Sequence, residues 1–503
     1  MSIDVTNPAT RAVVGTISVQ TSEEVSAASA QLRAEQPAWE ALGPKGRGEW
    51  LRKFRDWLLD NESHLIDVLC SETGKPRTEA ALEIMVICDG INYYAERAPM
   101  ILAEESIRPA GLLTASKKLT KVYRPHPVVG VITPWNFPLL IPGMDAVPAL
   151  LAGCAVLVKP SETTPLSALE LLRGWREISA PPVLAVVTGL GDTGAAVVDN
   201  VDIVQFTGST RTGRLIAARA GERLIPCCVE LGGKDPALVL ADADLERAAN
   251  GIAWAALMNS GQACISVERV YVEASVHDRF VELLTDKVGA LRQGVETRPS
   301  DIDVGAMATP AQAEIVRAHV EDAVARGATV VTGGNLVDGG AFFEPTVLTG
   351  VDHTMICMTE ETFGPTIPVM KVRDADEGIR WANDSEYGLS ATVWTRDEAR
   401  GARIARHLEV GAVNINDAYV NLFCFGLPHG GWKSSGIGAR LGGAAGMRKY
   451  CRQQAVTMPR ILLAKAEVMW FPYLPRRVGL VARILRLVVA RDLSRRIRRS
   501  GGR

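Results

Sequence analysis

Short runs of apolar residues alternate with helical segments along the chain, and this alternation limits the fold more than any other feature. Between Pro134 and Gly213, buried strands are predicted at Ala155–Lys159, Val183–Val187 and Ile203–Phe206, with helices between them. Strands that alternate with helices form a parallel sheet covered by helices on both faces. Because the second half of the chain repeats this pattern, we predict an α/β fold with two doubly wound domains.

The length and composition of the chain restrict its general class. At 503 residues it is too long for one ordinary core, so we predict two or three domains. Apolar residues make up 47% and charged residues 22%, which excludes wholesale disorder and fibrous repeats. The 55 basic and 57 acidic residues almost balance, so we expect no nucleic-acid partner. The Cys residues lack CxxC spacing and the His residues are scattered, so we expect reduced thiols and no bound metal.

The C-terminal tail departs from this charge balance. Between Arg476 and Arg503 there are ten Arg and one acidic residue, Asp492. From Arg477 to Arg499 the pattern predicts one helix with a stripe of Val, Ile and Leu and with Arg elsewhere. A basic amphipathic helix can lie on an anionic membrane surface, or it can dock on an acidic neighbouring subunit. Since the N-terminus lacks a signal-peptide pattern, we expect a cytoplasmic protein, with peripheral membrane contact as one alternative.

Several motifs carry candidate chemistry, and each also has an ordinary structural interpretation. Cys264 follows a predicted helix in a turn of small residues, where a thiol is either activated or buried and inert. Glu230 stands before the Gly232-Gly233 turn, where a carboxylate is either a base or a solvated loop acid. Phe206–Thr210 ends a strand and opens a helix, whose free N–H groups could face a diphosphate. A match to GxGxxG at Gly189–Gly194 is weak, since such runs are often plain turns.

In combination, these motifs resemble the aldehyde dehydrogenase superfamily, with some resemblance to bacterial succinate-semialdehyde dehydrogenases. The resemblance extends from Asn7 to Gln454 and follows the order of motifs in the family. The segments that carry it are Pro134–Pro138, Lys159–Glu162, Phe206–Thr210, Glu230–Lys234, Gly261–Cys264, Glu360–Pro365 and Ser435–Gly438. The family implies an NAD(P)-dependent oxidoreductase with a small-molecule aldehyde substrate, and we expect a homodimer or homotetramer.

The resemblance also implies which residues are catalytic. Cys264 would add as a thiolate to the aldehyde carbonyl, which makes a tetrahedral carbon that can expel hydride. The Asn136 side-chain amide and the Cys264 backbone N–H would stabilise the oxyanion. Glu230 would be the general base for hydrolysis of the thioester. Two rival classes are a cysteine hydrolase without nicotinamide and a non-catalytic membrane-binding module.

A nicotinamide cofactor site follows from the same resemblance. Lys159 and Glu162 match residues that hold the adenosine ribose. The Glu162 carboxylate would repel a 2′-phosphate, so NAD is favoured over NADP. Phe363 would pack on the nicotinamide ring. The other residues implied to bind the cofactor are Trp135, Thr207, Gly208, Ser209, Leu231 and Glu361.

Some positions depart from the family pattern. Ala439-Arg440-Leu441-Gly442 stands where many members have Arg-Glu-Leu-Gly, so a Glu that often supports proton movement near the base is missing. Met258 stands where several succinate-semialdehyde dehydrogenases carry Arg, and the run Val420–Phe425 near the expected entrance is apolar. A substrate carboxylate would need a cation, so an apolar aliphatic or aromatic aldehyde is favoured. Succinate semialdehyde stays as an alternative substrate because Cys264–Arg269 resembles the same stretch in bacterial succinate-semialdehyde dehydrogenases. A membrane-associated fatty-aldehyde dehydrogenase is a further alternative because of the basic amphipathic tail.

The family pattern divides the chain into a nucleotide-binding part, a catalytic part and smaller elements. The predicted parts are an NAD-binding domain at 1–106 and 126–232, a catalytic domain at 233–432, a small β oligomerisation element at 107–125 and 441–458, and a basic amphipathic tail at 459–503.

Overall fold

A computed structural model describes residues 1–460, 467 and 470–497 of the chain. It confirms the predicted α/β fold, since two large sheets are built mainly from parallel strands that alternate with helices. Helices and strands are numbered here in chain order.

The helices are α1 Ser22–Ala41, α2 Gly43–Asp60, α3 Glu62–Thr73, α4 Arg77–Ile101, α5 Leu140–Ala152, α6 Leu166–Glu177, α7 Gly191–Asn200, α8 Thr210–Glu222, α9 Leu245–Leu257, α10 His277–Gly289, α11 Pro310–Ala325, α12 Ile356–Thr359, α13 Ala375–Asn383, α14 Glu398–Ala405, α15 Val420–Phe423, α16 Gly443–Arg448, α17 Pro475–Val489 and α18 Leu493–Ile497. The strands are β1 Ser2–Thr6, β2 Val13–Ser18, β3 Glu105–Ile107, β4 Lys117–Pro125, β5 Val128–Ile132, β6 Ala155–Lys159, β7 Leu184–Val186, β8 Ile203–Thr207, β9 Cys227–Glu230, β10 Asp235–Val239, β11 Val267–Glu273, β12 Thr329–Thr332, β13 Leu336–Val337, β14 Phe342–Phe343, β15 Thr346–Thr349, β16 Thr366–Val372, β17 Tyr387–Gly388, β18 Ser390–Trp394, β19 Ala412–Ile415, β20 Trp432–Lys433, β21 Gly436–Ile437 and β22 Cys451–Pro459.

The chain forms two compact units. The first consists of Met1–Ile101 and Pro125–Cys451, and the second of Leu102–Arg124 and Arg452–Arg503. Both large sheets lie in the first unit. The expected boundary between a nucleotide-binding and a catalytic domain therefore falls inside one compact unit, and its position at residue 232 stays a prediction.

The first large sheet has six strands in the order β21-β9-β8-β5-β6-β7. Five of them are parallel, and β21 joins the edge antiparallel to β9. Every residue of β5, β6 and β8 is buried, as expected for Val- and Ile-rich strands that helices cover on both faces. Helix α5 is also buried along its whole length. Parallel strands end at the same edge, so the loops after β5, β6, β8 and β9 are neighbours.

The second large sheet has seven strands in the order β12-β15-β16-β11-β10-β18-β19. All neighbours are parallel except β12, which pairs antiparallel with β15. The chain passes from the first sheet to the second through the short segment Leu231–Lys234 between β9 and β10. A Cβ on Gly233 would lie 2.3 Å from the Cys264 carbonyl oxygen, so only glycine fits there.

The second unit contains a three-stranded sheet in the order β22-β4-β3, in which β3 and β4 are antiparallel. Helix α17 follows, and none of its residues is buried. The prediction of one continuous tail helix from Arg477 to Arg499 is wrong, because the helix is interrupted. The backbone is extended at Ala490, and a new turn starts at Asp492, whose carbonyl accepts from two N–H groups of α18. The end of the predicted helix lies outside the described residues. Within the described residues, no helix is long and apolar enough to cross a membrane.

Candidate active site

The predicted catalytic residues meet where loops from both large sheets come together. Asn136 follows β5, and Glu230 is the last residue of β9. Cys264 precedes β11 of the second sheet. All three residues line one cleft, although 128 positions separate the first from the last. The carboxyl ends of the first sheet and the amino ends of the second therefore build one site.

Cys264 is positioned by a strained turn after α9. Asn259 and Ser260 have φ values of 53° and 57°, and Gly261 follows with φ of 71°. A left-handed backbone costs a non-glycine residue about 1–3 kcal/mol, so its surroundings must hold it. Asn259 Nδ2 donates to the carbonyl oxygens of Asn136 and Gln262 at 3.0 and 3.1 Å. The turn thus ties the candidate nucleophile to the loop of the candidate oxyanion donor.

The thiol of Cys264 is partly exposed to the cleft. Burial of its surroundings and the nearby Glu230 carboxylate raise the pKa of this thiol well above its ordinary value, while Arg440 lowers it. The thiol is therefore protonated at neutral pH in the absence of ligands. A base has to remove its proton before it can act as a nucleophile.

Asn136 is almost completely buried and faces the Cys264 turn. Its Nδ2 donates to the Gln262 carbonyl oxygen at 2.9 Å, and its backbone carbonyl accepts from Lys75 Nζ at 2.9 Å. An amide nitrogen has two N–H groups, so one remains for a ligand. The Cys264 backbone N–H has no partner within the described part of the chain. Two fixed donors near one thiol can serve a developing oxyanion.

Glu230 is 1% exposed, and its two oxygens have different surroundings. Oε2 lies 3.4 Å from Arg440 Nη1, whereas Oε1 is buried and has no partner among the described residues. Burial raises the pKa of Glu230, and Arg440 opposes this shift. A buried carboxylate with one unpaired oxygen beside a thiol can accept a proton from it or from a water molecule.

A cleft of about 810 Å³ beside Cys264 fits the predicted cofactor. Thr207 Oγ1 is buried without a partner in the described part of the chain, so a ligand oxygen can pair with it. Ser209 is the N-cap of α8, and the N-terminus of a helix attracts a diphosphate. The predicted cofactor residues on the cleft wall are Trp135, Thr207, Gly208, Ser209, Leu231, Glu361 and Phe363.

The segment with Glu361 and Phe363 is held by a buried ion pair that the sequence analysis did not single out. Glu268 accepts from the backbone N–H groups of Thr362 and Phe363 at 2.7 and 2.8 Å. Lys234 Nζ lies 2.6 Å from Glu268 and 3.0 Å from Thr362 Oγ1. Glu361 itself accepts from Gly233 N–H, and burial raises its pKa to about 8. The segment is therefore rigid before any ligand binds.

Lys159 and Glu162 are the predicted cofactor residues that do not line this cleft. Lys159 ends β6, and its carbonyl accepts from Thr133 N–H two positions before Trp135. Its Nζ lies 3.3 Å from Glu162 Oε2, and the Glu162 side chain is 41% exposed. Both side chains are thus near the strand end that leads to the cleft, and their contact with a ribose stays a prediction.

A second, mostly apolar cavity also has Cys264 in its wall. Met258, Leu422 and Phe423, which the sequence analysis placed near the substrate, belong to its wall. The charged or titratable residues of this wall are Cys264, Tyr419, Glu79, Glu83, His429 and Arg440. Lys75 pairs with Glu83 at 2.6 Å, and burial raises the pKa of Glu79 to about 7.

His429 is one of the members of this wall that the sequence analysis missed. Both ring nitrogens are buried without a partner among the described residues. Burial and Arg440 lower its pKa to about 3, so the ring is neutral. Its only signal in the sequence is its place just before the Gly430-Gly431 turn, which does not reveal that it faces a cavity. No group of described residues could hold a metal ion.

Comparisons with known proteins show what this chain is similar to. A family model described as "Aldehyde dehydrogenase family" matches residues 1–456. A protein of Mycolicibacterium smegmatis named "Putative succinate-semialdehyde dehydrogenase [NADP(+)]" is 42% identical over 452 residues, which are 89% of this chain and 87% of that protein. A 4,4'-diapolycopene aldehyde oxidase of Methylomonas sp is 41% identical over 440 residues, 86% of this chain and 81% of that protein.

A solved structure supports the same likeness. The succinate-semialdehyde dehydrogenase of Burkholderia pseudomallei superposes with a TM-score of 0.88 at 35% sequence identity. The match covers 91% of this chain and 95% of that chain.

Proposed function

Since this chain belongs to the aldehyde dehydrogenase family, we propose that it oxidises an apolar aldehyde to the carboxylic acid with NAD as the hydride acceptor. The observation that carries the substrate class is the mostly apolar cavity at Cys264. The family uses NAD(P) and acts on small aldehydes, and the choice of aldehyde and nucleotide is our inference.

The first half of the reaction depends on three side chains. Glu230 takes the proton of the Cys264 thiol, and Cys264 Sγ forms a bond to the aldehyde carbon. The Asn136 amide and the Cys264 backbone N–H hold the oxygen, and one such donor typically contributes ~3 kcal/mol to the transition state. When bound, the nicotinamide accepts the hydride that leaves this carbon. The carbon remains attached to Cys264 as a thioester.

Hydrolysis of the thioester completes the cycle. Glu230 has to lose the first proton to solvent and then takes a proton from water as that water attacks the thioester carbon. The bond between carbon and Cys264 Sγ breaks, and the carboxylic acid leaves. The partnerless Oε1 of Glu230 supports this role because it is free to accept a proton.

An apolar substrate is favoured by the charges around the cavity. Arg440 is the only Arg or Lys among the residues of the wall, and its guanidinium lies against Asp145 and Glu230. Lys75 next to this wall is already paired with Glu83 at 2.6 Å, so it is not available to a substrate carboxylate. The Methylomonas relative, named for an apolar polyene aldehyde, is consistent with this class.

Succinate semialdehyde is the second candidate. The Mycolicibacterium relative and the Burkholderia structure both carry this name, and Arg440 would be the cation for its carboxylate. For the nucleotide, the partly exposed Glu162 favours NAD because a carboxylate at the adenosine ribose repels a 2′-phosphate. The name of the Mycolicibacterium relative makes NADP the alternative.

A substrate screen tests both choices. NADH or NADPH formation is followed at equal aldehyde concentrations for hexanal, decanal, benzaldehyde and succinate semialdehyde. We expect kcat/KM to be at least tenfold higher for the apolar aldehydes and for NAD. Glu162→Ser should bring the NADP reaction closer to the NAD reaction. A preference of wild type for succinate semialdehyde would establish the second candidate, and no reduced nucleotide with any aldehyde would refute the proposal.

We further propose that the chain forms a homodimer or homotetramer through the sheet of the second unit. Aldehyde dehydrogenases are commonly oligomeric. In β22, Cys451 is the only buried residue, and the strand lies at the edge of its three-stranded sheet. An exposed edge strand offers unpaired N–H and C=O groups to another strand, and a second copy of this chain supplies one.

The tail is proposed to contact an anionic membrane surface. Leu480, Ile484 and Val488 of α17 are exposed at a spacing of four residues, and Arg483 and Arg486 lie toward the other face. The net charge of the tail is strongly positive. A helix of this kind rests in the headgroup region, with its apolar face in the lipid and its Arg residues against phosphate groups.

A further inference from the structure

Arg440 is a buried cation between two buried carboxylates, one of which is the proposed base. Its Nη1 lies 3.4 Å from Glu230 Oε2, while its Nε and Nη2 lie 3.4 and 3.5 Å from the oxygens of Asp145. The three side chains are at most 5% exposed. A buried charge is stable only when it is paired, so this guanidinium is shared between two anions.

The position of the guanidinium is built into the fold. Arg440 N–H donates to the His429 carbonyl at 2.9 Å, and Leu441 forms a β-bridge with His429. Lys449 Nζ donates to the Arg440 carbonyl at 2.6 Å. Asp145 stands on the fully buried helix α5. Neither Arg440 nor Asp145 can therefore move far without disturbing packed elements.

The charges of this cluster act on Glu230 in opposite directions. Burial raises the pKa of Glu230, Arg440 lowers it, and Asp145 raises it. For Cys264, burial and Glu230 raise the pKa and Arg440 lowers it. The other titratable groups that face the cluster are Tyr94, Cys228, Glu361, His429, Lys449 and Tyr450. Arg440 is thus the cation that favours negative charge on both reacting groups.

We propose that Arg440 is a positioning residue that keeps Glu230 ionised as a proton acceptor, and that Asp145 limits this effect by sharing the guanidinium. The proposal rests on the role of Glu230 in the proposed function. It also explains how a base can work where burial would otherwise keep it protonated. When Glu230 takes a proton, the guanidinium keeps Asp145 as its counterion, so no cation is left unpaired.

Two single substitutions should move the pH dependence in opposite directions. In Arg440→Gln the cation is lost, so Glu230 becomes ionised at higher pH. In Asp145→Asn the competing anion is lost, so Glu230 becomes ionised at lower pH. Activity rises with pH as the base becomes ionised. The acidic limb of the kcat–pH profile should therefore move to higher pH in Arg440→Gln and to lower pH in Asp145→Asn.

The measurement is a stopped-flow record of nucleotide reduction from pH 5 to pH 9 with the full chain and the best aldehyde of the screen. We expect Arg440→Gln to move the acidic limb by about one pH unit and to lower kcat at pH 6 about tenfold, because one pKa unit is a factor of ten. The first turnover should slow as well at pH 6, because Glu230 also takes the proton of the Cys264 thiol. Arg440→Lys should restore most of the limb because it keeps the charge.

A second readout does not need the cofactor. The rate of carbamidomethylation of Cys264 by iodoacetamide, followed on its peptide by mass spectrometry, reports how readily the thiol ionises. Its midpoint should move to higher pH in Arg440→Gln. If that variant does not fold, Asp145→Asn/Arg440→Gln removes one charge of each sign, and its acidic limb should still lie at higher pH than that of wild type.

Several outcomes would overturn the proposal. One is a shift of both single variants in the same direction, and another is an unchanged limb in Arg440→Gln. A third is a rise of KM for succinate semialdehyde alone, which would make Arg440 a substrate ligand. Failure of the proposed function is recognised separately, because wild type would then reduce no nucleotide with any aldehyde.

Discussion

At the scale of single residues, burial decides the protonation state of the groups around Cys264. The thiol is held protonated by its surroundings and by Glu230. The carboxylate of Glu230 is held ionisable by one nearby guanidinium. His429 is neutral because an imidazolium without a counterion is costly in a buried place. The same residues in water would have ordinary pKa values and little reactivity.

Replacement of Glu230 by Gln tests the base at this scale. Gln keeps the size of the side chain and cannot accept a proton. The thiol can then lose its proton only to solvent, more slowly, whereas no base activates water at the buried thioester, so the thioester should still accumulate during the first turnover. We expect steady-state turnover at pH 7.5 to fall by a factor of about 10²–10⁴. Trapped acyl-enzyme is measured by intact mass spectrometry. Glu162→Gln, a carboxylate outside the cleft wall, is the matched control and should not accumulate it. Unchanged turnover in Glu230→Gln would rule out the role.

Replacement of His429 by Phe removes two buried nitrogens that lack partners. An unsatisfied buried polar group costs about 1–3 kcal/mol, so the variant should be more stable by about 1 kcal/mol at pH 8. Unfolded His binds a proton below pH 6.5, whereas His429 with its pKa of about 3 does not. Wild type therefore loses stability as the pH falls below 6.5, by about 2 kcal/mol at pH 5 from this residue.

Urea unfolding at pH 8 and pH 5 measures the effect of His429→Phe, which should retain more of its stability at pH 5. His319→Phe is the control, since His319 Nδ1 lies 3.1 Å from Thr362 Oγ1 and loses a hydrogen bond when replaced. That variant should be less stable at pH 8. Equal destabilisation by both substitutions would show that His429 has a partner.

At the scale of elements, the turn between α9 and β11 carries the geometry of the nucleophile. Its residues Asn259, Ser260 and Gly261 all have positive φ. Hydrogen bonds from its own side chains to distant backbone carbonyls, Asn259 to Asn136 and Ser260 to Gly305, keep it in this conformation. A local sequence pattern predicts a helix end here and gives no information on the direction of the thiol.

Gly261→Ala should displace this turn. The added Cβ would lie 2.2 Å from the Gly364 carbonyl oxygen, and the φ of 71° disfavours any side chain. We expect a loss of about 2 kcal/mol or more in unfolding free energy and a strong loss of kcat. Gly221→Ala in α8 is the control. No atom lies within 4 Å of its added Cβ, and Ala should stabilise the helix by about 0.5–1 kcal/mol. Normal activity in Gly261→Ala would contradict the proposed rigidity.

At the scale of the whole molecule, the first unit holds both large sheets, and the second unit offers surfaces that the chain itself leaves exposed. Strand β22 is exposed along most of its length, and α17 has no buried residue. These two surfaces differ in kind. The strand presents backbone hydrogen-bonding groups, while the helix presents an apolar face beside Arg residues.

Proline in β22 tests the proposed interface between copies. Alternate N–H groups of a strand point to opposite neighbours, so one of the variants Gln453→Pro and Gln454→Pro removes a donor from the outer edge. That variant should lower the molar mass in size-exclusion chromatography with light scattering. The other should mainly weaken its own sheet. If both variants keep the oligomer, the interface lies elsewhere.

Removal of residues 476–503 tests the proposed membrane contact. Co-sedimentation with phosphatidylglycerol vesicles should be lost, and binding of wild type should fall at high salt because anionic lipid is required. Leu480→Glu/Ile484→Glu should bind as weakly as the truncated chain. Arg476→Lys/Arg483→Lys keeps the charge and should bind normally. A truncated chain that changes its oligomeric state but still binds vesicles would show that the tail docks on a neighbouring subunit.

Much of the fold follows from the sequence, because alternation of apolar strands with amphipathic helices is a local pattern that burial requires. The ordered motifs also indicate the candidate nucleophile, the candidate base and the candidate oxyanion donor, since each lies at a strand end or in a glycine-rich turn. The sequence did not predict that Lys159 and Glu162 lie outside the cleft wall. The wall of a cleft depends on how loops from different strands pack, and a local pattern does not contain this information.

What the sequence by itself determined is the type of fold and the set of residues with suitable chemistry. Only the tertiary structure decided that Asp145, Glu230 and Arg440 share one buried cluster, and that Glu268 holds the segment of Phe363. The physical reason is that the energy of a charge depends on its distance from other charges and from water. Residues far apart in the chain acquire those distances only when the elements pack.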